Sequence, residues 1–308
     1  LFGGVHWEAF MPVQRILIQL DCDPQASSFD AIVAIDAGAE MLLQHGGVTP
    51  DSAVPLVHGA MFTRGGSDLA ATAIFIGGSD MQIAEAVYDR VRATFFGPVR
   101  VSVMLDPAGA NTTASAAVVA AARHLPLGDR ASAIGCRALV LGATGPVGQR
   151  VARLLAGKGV AVGVASRSLE RAKAVCERIG AAVPEARLEA VATVDVSLAG
   201  SAFGTAIEKA DLIVSAGAAG TVMLDTAGRL LASRARVLID LNAVPPAGVD
   251  GIMSADKSRQ SGVALVYGAL GIGSIKMKIH RTAVSRLFES NSLCLDAEAL
   301  LAVGETLA

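Results

Sequence analysis

Between Arg15 and about His124 the chain alternates short apolar runs with longer stretches in which apolar residues recur at helical spacing. ILIQL reads as a strand, SSFDAIVAIDAGAEMLLQ (27–44) as a helix, TAIFIGG as a strand, Asp80 to Phe95 as a helix and VRVSVML as a strand, which together predict an α/β layer. The segment HLPLGDRASAIG (124–135) reads as a connection. A second alternation follows: a strand from Ala138 to Leu141, a helix through Val151, Leu154 and Leu155, and a strand from Val160 to Ala165. It continues with a helix over 169–179 closed by Gly180 and short strands near 190–194, 211–215, 236–241 and 263–267. Six strands with intervening helices predict a doubly wound parallel sheet, and two helices, about 275–290 and 296–306, close the chain.

The chemistry of this second half is concentrated in RALVLGATGPVGQRVARLLAGKGVAVGVASRS, residues 137–168. The apolar strand enters a turn built on Gly142, Gly145 and Gly148 before the helix begins, with Thr144, Pro146 and Val147 completing it. Glycine lets the backbone reverse sharply and approach a pyrophosphate, whose charge then rests against the free N–H groups of the helix N-terminus. Pro146 suits a first helical turn, where a missing N–H costs nothing. The following strand ends in Ser166, Arg167 and Ser168, where an NAD-preferring site carries an acid for the ribose hydroxyls. Arg167 is therefore read as the partner of a 2′-phosphate; the plainer alternative is a solvated arginine before a helix that Ser168 caps. The expected cofactor is NADP, with NAD possible. The predicted fold class is α/β with two domains: a smaller N-terminal α/β domain over 11–128 and a C-terminal Rossmann domain, a doubly wound parallel sheet, over 129–274. The helices of about 275–308 are expected to pack back on the first domain, and a cleft between the two domains is the expected active site.

Composition narrows the function. Hydrophobic residues make up 52% and charged residues 18% of the 308, yet no apolar run approaches the roughly 18 residues that cross a bilayer. With a formal net charge of -2 and no basic block, neither a nucleic-acid nor a membrane partner is expected. Cys22, Cys136, Cys176 and Cys294 are far apart and lack ligand spacing, which predicts no metal site and a reducing, cytoplasmic setting. The opening LFGGVHWEAF, ahead of Met11, reads as a leader scar.

Three further segments fall at the carboxyl ends of later strands: SAGAAG (215–220), DLNAVPP (240–246) and YGALGIG (267–273). Their small residues, with Ser215, Ala216, Asn242 and Gly268 foremost, are expected to let a ribose and nicotinamide lie against backbone. Turn glycine and proline are the plainer explanation of any one of them. Ser274 reads as the N-cap of the helix IKMKIHRTAVSRLF, whose buried face is Ile275, Ile279, Ala283 and Leu287, with Lys276 and His280 on a neighbouring face. Lys278 lies about 200° around the helix from Lys276, so the two lysines cannot face one cleft. In the first half, Asp30, Arg64, Asn111 and Thr112 are the candidate substrate-binding groups, Asn111 and Thr112 at a helix start where they would position a polar heterocycle; capping is their structural alternative. No spacing supports hydrolysis.

TRGG, AIFIGG, DPAGANTT, GATGPVG, NAVPPAG and above all GALGIGSIKMKIHR resemble the bacterial methylene-tetrahydromethanopterin dehydrogenases, over almost the whole chain from about Arg15. The resemblance implies a homo-oligomer that joins a pterin-binding α/β domain to a Rossmann domain and transfers hydride from the methylene bridge of a reduced pterin to NADP in one-carbon metabolism. It also implies a catalytic and substrate-binding role for Lys276. Ala143 stands where family turns carry glycine. Methylene-tetrahydrofolate is an alternative carrier. A shikimate-type NADP dehydrogenase and a non-catalytic NADP sensor are the competing readings, the first weakened by the absence of any lysine before Leu127.

Overall fold

A computed structural model describes residues 13–193, 198 and 200–307; the predicted leader and Met11 lie outside the described residues. In chain order the elements are β1 (Ile16–Asp21), α1 (Ser28–Asp36), β2 (Met41–His45), α2 (Pro50–Phe62), β3 (Thr72–Gly77), α3 (Met81–Thr94), β4 (Ser102–Leu105), α4 (Ala110–Ala122) and α5 (Arg130–Ala133). Then come β5 (Arg137–Leu141), α6 (Pro146–Gly157), β6 (Ala161–Ser166), α7 (Leu169–Ala182), β7 (Arg187–Ala192), α8 (Ala202–Lys209), β8 (Leu212–Ser215), α9 (Thr226–Leu231) and β9 (Val237–Asp240). The chain closes with β10 (Lys257–Ser261), β11 (Ala264–Tyr267), α10 (Ala269–Arg286), β12 (Cys294–Leu295) and α11 (Ala297–Glu305).

The chain forms two compact units: one runs to Met104 and takes back Val284–Cys294, the other comprises Leu105–Ala283 and the residues from Leu295 on. The division thus falls at 104/105, where the sequence pattern places it at 128/129. The reason is α4, whose small side chains are almost all buried and which packs on α6 and α11. Large residues at those positions would hold the helices apart. The C-terminal segment is also shared: residues 284–294 join the first unit, while α11 packs on α4 and α6.

In the first unit the sheet order is β12-β4-β3-β1-β2, with β1 parallel to both β2 and β3. The helix expected over 27–44 is two elements. Helix α1 stops at Asp36, Gly38 adopts φ +99, and Met41–His45 pairs with β1 as an exposed edge strand. The left-handed turn breaks the helical register, and the N–H groups of Glu40 and Met41 go to the Arg15 carbonyl instead. The apolar pattern gave no sign of α2; Pro50 in its first turn and a Thr49–Ser52 capping box start it despite Pro55 inside.

The second unit carries a seven-stranded sheet of order β10-β11-β9-β8-β5-β6-β7. All pairs are parallel except β10 with β11, so the six expected strands gain one antiparallel edge strand. Continuous burial of β8 and β9 reflects helices on both faces. Leu139, Leu141, Ile213, Leu238 and Val266 form one core layer with Phe203 and Ile207 of α8. Strand β5 pairs with both β6 and β8, so the strand order reverses there, the place where doubly wound sheets bind ligands. The architecture is α/β with a Rossmann-type second unit.

Candidate active site

The turn after β5 is held open by absence of side chains. Gly142 has φ +68, and a Cβ there would lie 2.7 Å from the Gly217 Cα and 2.8 Å from the Ala216 carbonyl oxygen. At Gly148 a Cβ would meet the Gly142 carbonyl oxygen at 2.5 Å. Gly145 is the N-cap of α6 and Pro146 its first residue, so the first-turn N–H groups around Val147 and Gly148 have no intrahelical acceptor. In front of this turn is a cavity of about 390 Å³. Gly142, Thr144, Gly145, Ser166, Arg167 and Ala216, six of the expected cofactor contacts, come together in its lining. Gly217, from the SAGAAG segment expected against the cofactor, lines it too, with Thr193, Phe203 and Met223, which the sequence pattern does not single out. Thr193 and Phe203, beyond β7 and in α8, carry no local signal.

The rim of the cavity at β6 is basic and hydroxyl-rich. Ser166 is buried, its Oγ 3.5 Å from the Thr144 Oγ1 and accepting from the Ser168 N–H at 3.3 Å. Ser168 caps α7 through the Arg171 N–H, and its hydroxyl donates to Glu170 at 3.0 Å. Arg167 is exposed between them. The rim carries a cation and hydroxyls and no carboxylate among the residues that line the cavity, a set that suits a phosphate.

Two of the expected cofactor contacts are spent elsewhere, and a third is buried. Ser215 lies with its hydroxyl against Gly248, where a Cβ would strike it, and that hydroxyl has no hydrogen-bond partner among the described residues. Asn242 closes its own loop, donating to the Pro246 carbonyl at 3.0 Å and accepting from the Val244 N–H at 2.9 Å, while Asp240 takes the N–H groups of Asn242 and Gly248. Gly268 lets α10 dock on residues 253–254, since a Cβ would lie 2.6 Å from the Ser254 carbonyl oxygen and collide with that of Met253. Helix α10 starts at Ala269, so Ser274 lies inside it and donates to the Gly271 carbonyl; it is not the N-cap.

Lys276 is half-buried on α10, and Lys278 is exposed. The Lys276 ammonium rests against Gly109 of the turn between β4 and α4. Asp106, wholly buried at the start of that turn, accepts from the Thr112 N–H at 3.0 Å and from its hydroxyl at 2.6 Å. His280, one helical turn beyond Lys276 and fully buried, has its Nδ1 3.9 Å from an Asp106 oxygen. Burial pushes the His280 imidazole below its usual pKa and Lys276 adds to that, against the opposing pull of Asp106. Asn111 and Thr112 are correspondingly buried and engaged. Asn111 donates to the Leu105 carbonyl at 2.7 Å and accepts from Arg150 of α6 at 3.2 Å. They shape the turn and the α4–α6 contact; neither presents a free polar edge to a heterocycle.

In the first unit, Asp30 is half-buried in the first turn of α1, close in sequence to the carboxyl end of β1. Arg64 is a brace at the opposite, amino-terminal end of the central strand, donating to the Ala71 carbonyl at 2.8 Å and the Thr72 hydroxyl at 3.0 Å where β3 begins. That places it away from the carboxyl ends where ligands bind. Two acids the sequence reading passed over order the loops at those ends. Asp21 accepts from the N–H groups of Asp23 and Ser27, and Asp23 from the N–H and hydroxyl of Ser79. Burial, with Asp21, Asp23 and Asp80 nearby, raises the Cys22 thiol to about 11. No helix among the described residues is long and apolar enough to cross a membrane.

Residues 28–108 match the sequence family described as methylene-tetrahydromethanopterin dehydrogenase, N-terminal. Two proteins of Methylorubrum extorquens match nearly end to end. The bifunctional protein MdtA is 38% identical over 295 residues, covering 96% of this chain and 99% of that one. The NAD(P)-dependent methylenetetrahydromethanopterin dehydrogenase is 34% identical over 276 residues, covering 88% and 91%. The chain belongs to the methylene-tetrahydromethanopterin dehydrogenase family. Within this family member, residues 128–255 also match the shikimate/quinate 5-dehydrogenase family. Among solved structures, ornithine transcarbamoylase from Giardia lamblia superimposes with a TM-score of 0.51 at 10% identity, covering 90% of this chain and 86% of that one, a likeness of fold alone.

Proposed function

We propose that the protein is an NADP-dependent dehydrogenase that oxidises methylene-tetrahydromethanopterin reversibly to methenyl-tetrahydromethanopterin, in the one-carbon metabolism of a methylotroph. The observation that carries the reading is the cavity in which the glycine turn and the Ser166–Arg167 rim converge. It is supported by end-to-end similarity to two Methylorubrum proteins, one of them named for this reaction. The match of residues 128–255 to shikimate dehydrogenases is confined to the second unit's sequence and leaves the first half with its own family, so it supports a shared cofactor fold rather than a shared substrate.

The residues present fit NADP. Gly142 and Gly148 allow the close backbone packing of the turn and Gly145 leaves the start of α6 without a side chain, the first turn of α6 offers N–H donors, and Arg167 with Ser166 and Thr144 suits a 2′-phosphate. When bound, NADP supplies the carbon that accepts the hydride, and NAD is the weaker alternative. The methylene carbon lies between two nitrogens, so loss of hydride leaves a cation delocalised over both. The protein then has no proton to remove from carbon, and its work is to orient the carrier and shape the local charge. Lys276 is assigned to the carrier as a hydrogen-bond donor, since a bare ammonium beside the developing cation opposes the reaction. Asp30, near the carboxyl edge of the first unit's sheet, is the candidate carrier contact there.

We assign the enzyme to the cytoplasm and to a homo-oligomer. The latter is supported by Phe29, Ile32 and Ile35, each at least 50% exposed on α1 beside the exposed edge strand β2. Sedimentation tests the assembly.

The deciding experiment follows the NADPH and methenyl absorbance bands with NADP or NAD and each methylene carrier. Turnover with methylene-tetrahydromethanopterin supports the reading, and additional turnover with methylene-tetrahydrofolate makes the enzyme dual in carrier. NADP binding without turnover on either carrier points to a sensor.

A further inference from the structure

We infer that Gly109 is a positioning residue for Lys276: the Asp106–Gly109 turn keeps one methyl-sized space clear, and the lysine ammonium occupies it. The inference rests on the reading of Lys276 as the group that meets the carrier.

Backbone conformation alone does not explain glycine at this position. Ala108 and Gly109 both lie in the left-handed region, at φ 51 and φ 61, and the first of them is an alanine. A side chain of one carbon is thus tolerated in that conformation one residue earlier. What distinguishes Gly109 is what a Cβ would meet, namely the Lys276 Nζ itself, with the Lys276 Cε at 3.0 Å.

Both sides of the contact are fixed. The Gly109 N–H donates to the Asp106 carbonyl at 3.1 Å, and its own carbonyl accepts from the Thr113 hydroxyl at 2.6 Å and the Thr112 hydroxyl at 3.3 Å. Asp106 is pinned by both donors of Thr112. On the other side, Gly271 lies where a Cβ would strike the Asp256 carbonyl, which seats the first turn of α10. His280 packs its buried ring beside Asp106, so the helix and the turn meet at fixed register one turn beyond Lys276. With both backbones fixed, a Cβ at position 109 is accommodated by moving the far end of the Lys276 side chain, which takes the ammonium off the turn. Arginine, with its branched planar head, does not reproduce a single ammonium at that point.

The test is a double-variant cycle on the full-length protein, with kcat and the KM for NADP measured separately. Gly109→Ala is expected to lower kcat at least tenfold with the KM for NADP changed less than twofold. In a Lys276→Ala background it is expected to change kcat no further. Because Gly109→Ala also burdens the backbone, Lys276→Arg serves as a second variant that leaves the turn intact, and its kcat is expected to fall as far as that of Lys276→Ala. Retained kcat in Lys276→Arg or Gly109→Ala, or losses that add in the double variant, overturn the positioning role. Undiminished turnover in Lys276→Ala refutes the prior reading of Lys276 and the seat with it, and so separates the two failures.

Discussion

Replacing Arg167 by alanine separates the two nicotinamide cofactors. Arg167 is exposed on the rim of the cavity, flanked by Ser166 and Ser168, with the nearest acid in sequence, Glu170, already accepting the Ser168 hydroxyl. The 2′-phosphate of NADP brings nearly two negative charges that NAD lacks. A charge-assisted hydrogen bond contributes about 1.5–3 kcal/mol. Two unit charges about 4 Å apart interact by about 1 kcal/mol in bulk water and about 4 kcal/mol near a protein surface, which brackets the same range. Arg167→Ala is therefore expected to raise the KM for NADP by about 10- to 150-fold. The KM for NAD is expected to stay within about twofold, because the glycine turn and Ser166 are untouched. Initial rates with each cofactor at fixed carrier, at about 0.05 M and about 0.5 M salt, measure both numbers. The wild-type preference for NADP should shrink with salt as the screening length shortens. Equal losses for NAD and NADP, or a preference that salt does not move, refute the phosphate assignment.

Gly142→Ala places a methyl 2.7 Å from Gly217 at φ +68, so chemical denaturation should show a loss of about 2–5 kcal/mol; a loss under about 1 kcal/mol contradicts the close approach. Asn111→Ala removes a donor to Leu105 and an acceptor for Arg150, and is expected to cost about 2–4 kcal/mol of stability without altering the KM for the carrier. A raised carrier KM at unchanged stability would restore Asn111 to the substrate site. His280 has its pKa lowered by burial, so below its ordinary value of 6.5 the unfolded chain takes up a proton that the folded chain refuses. Its contribution to stability is full above that pH and is lost as the pH falls, at up to about 1.4 kcal/mol per pH unit. His280→Gln should flatten the fall in denaturation midpoint between about pH 6.5 and pH 5, and an unchanged slope sinks the assignment.

Local requirements were legible in the sequence and distant ones were not. The glycines at 142, 145 and 148 answer to a turn, a cap and a helix start within a few residues of one another, so their pattern carries its own explanation. Ser166 and Arg167 follow from where β6 ends. Asn242 and Gly268 also stand at strand ends, yet their atoms serve the 242–246 loop and the docking of α10. Position alone does not tell a ligand contact from a loop closure. The run MLLQ extends the helical pattern of α1 in periodicity, and only pairing with β1 makes it a strand. Asn111 and Thr112 look like a polar helix start in either role; their burial decides. Gly109 carried no signal, because its reason is a lysine that lies far downstream.

The first unit is discontinuous, and that sets an order on its biogenesis. Residues up to Met104 leave the ribosome early, but β4 is completed only by the late segment. There the Ser102 hydroxyl donates to the Ser290 carbonyl at 2.7 Å, Asn291 donates to the carbonyls of Pro98 and Arg100, and the Val103 N–H reaches the Leu293 carbonyl. Until residues 284–294 emerge, the nascent first unit presents an open sheet edge while the second unit is being synthesised. Premature termination near position 283 would thus injure the half of the protein made first.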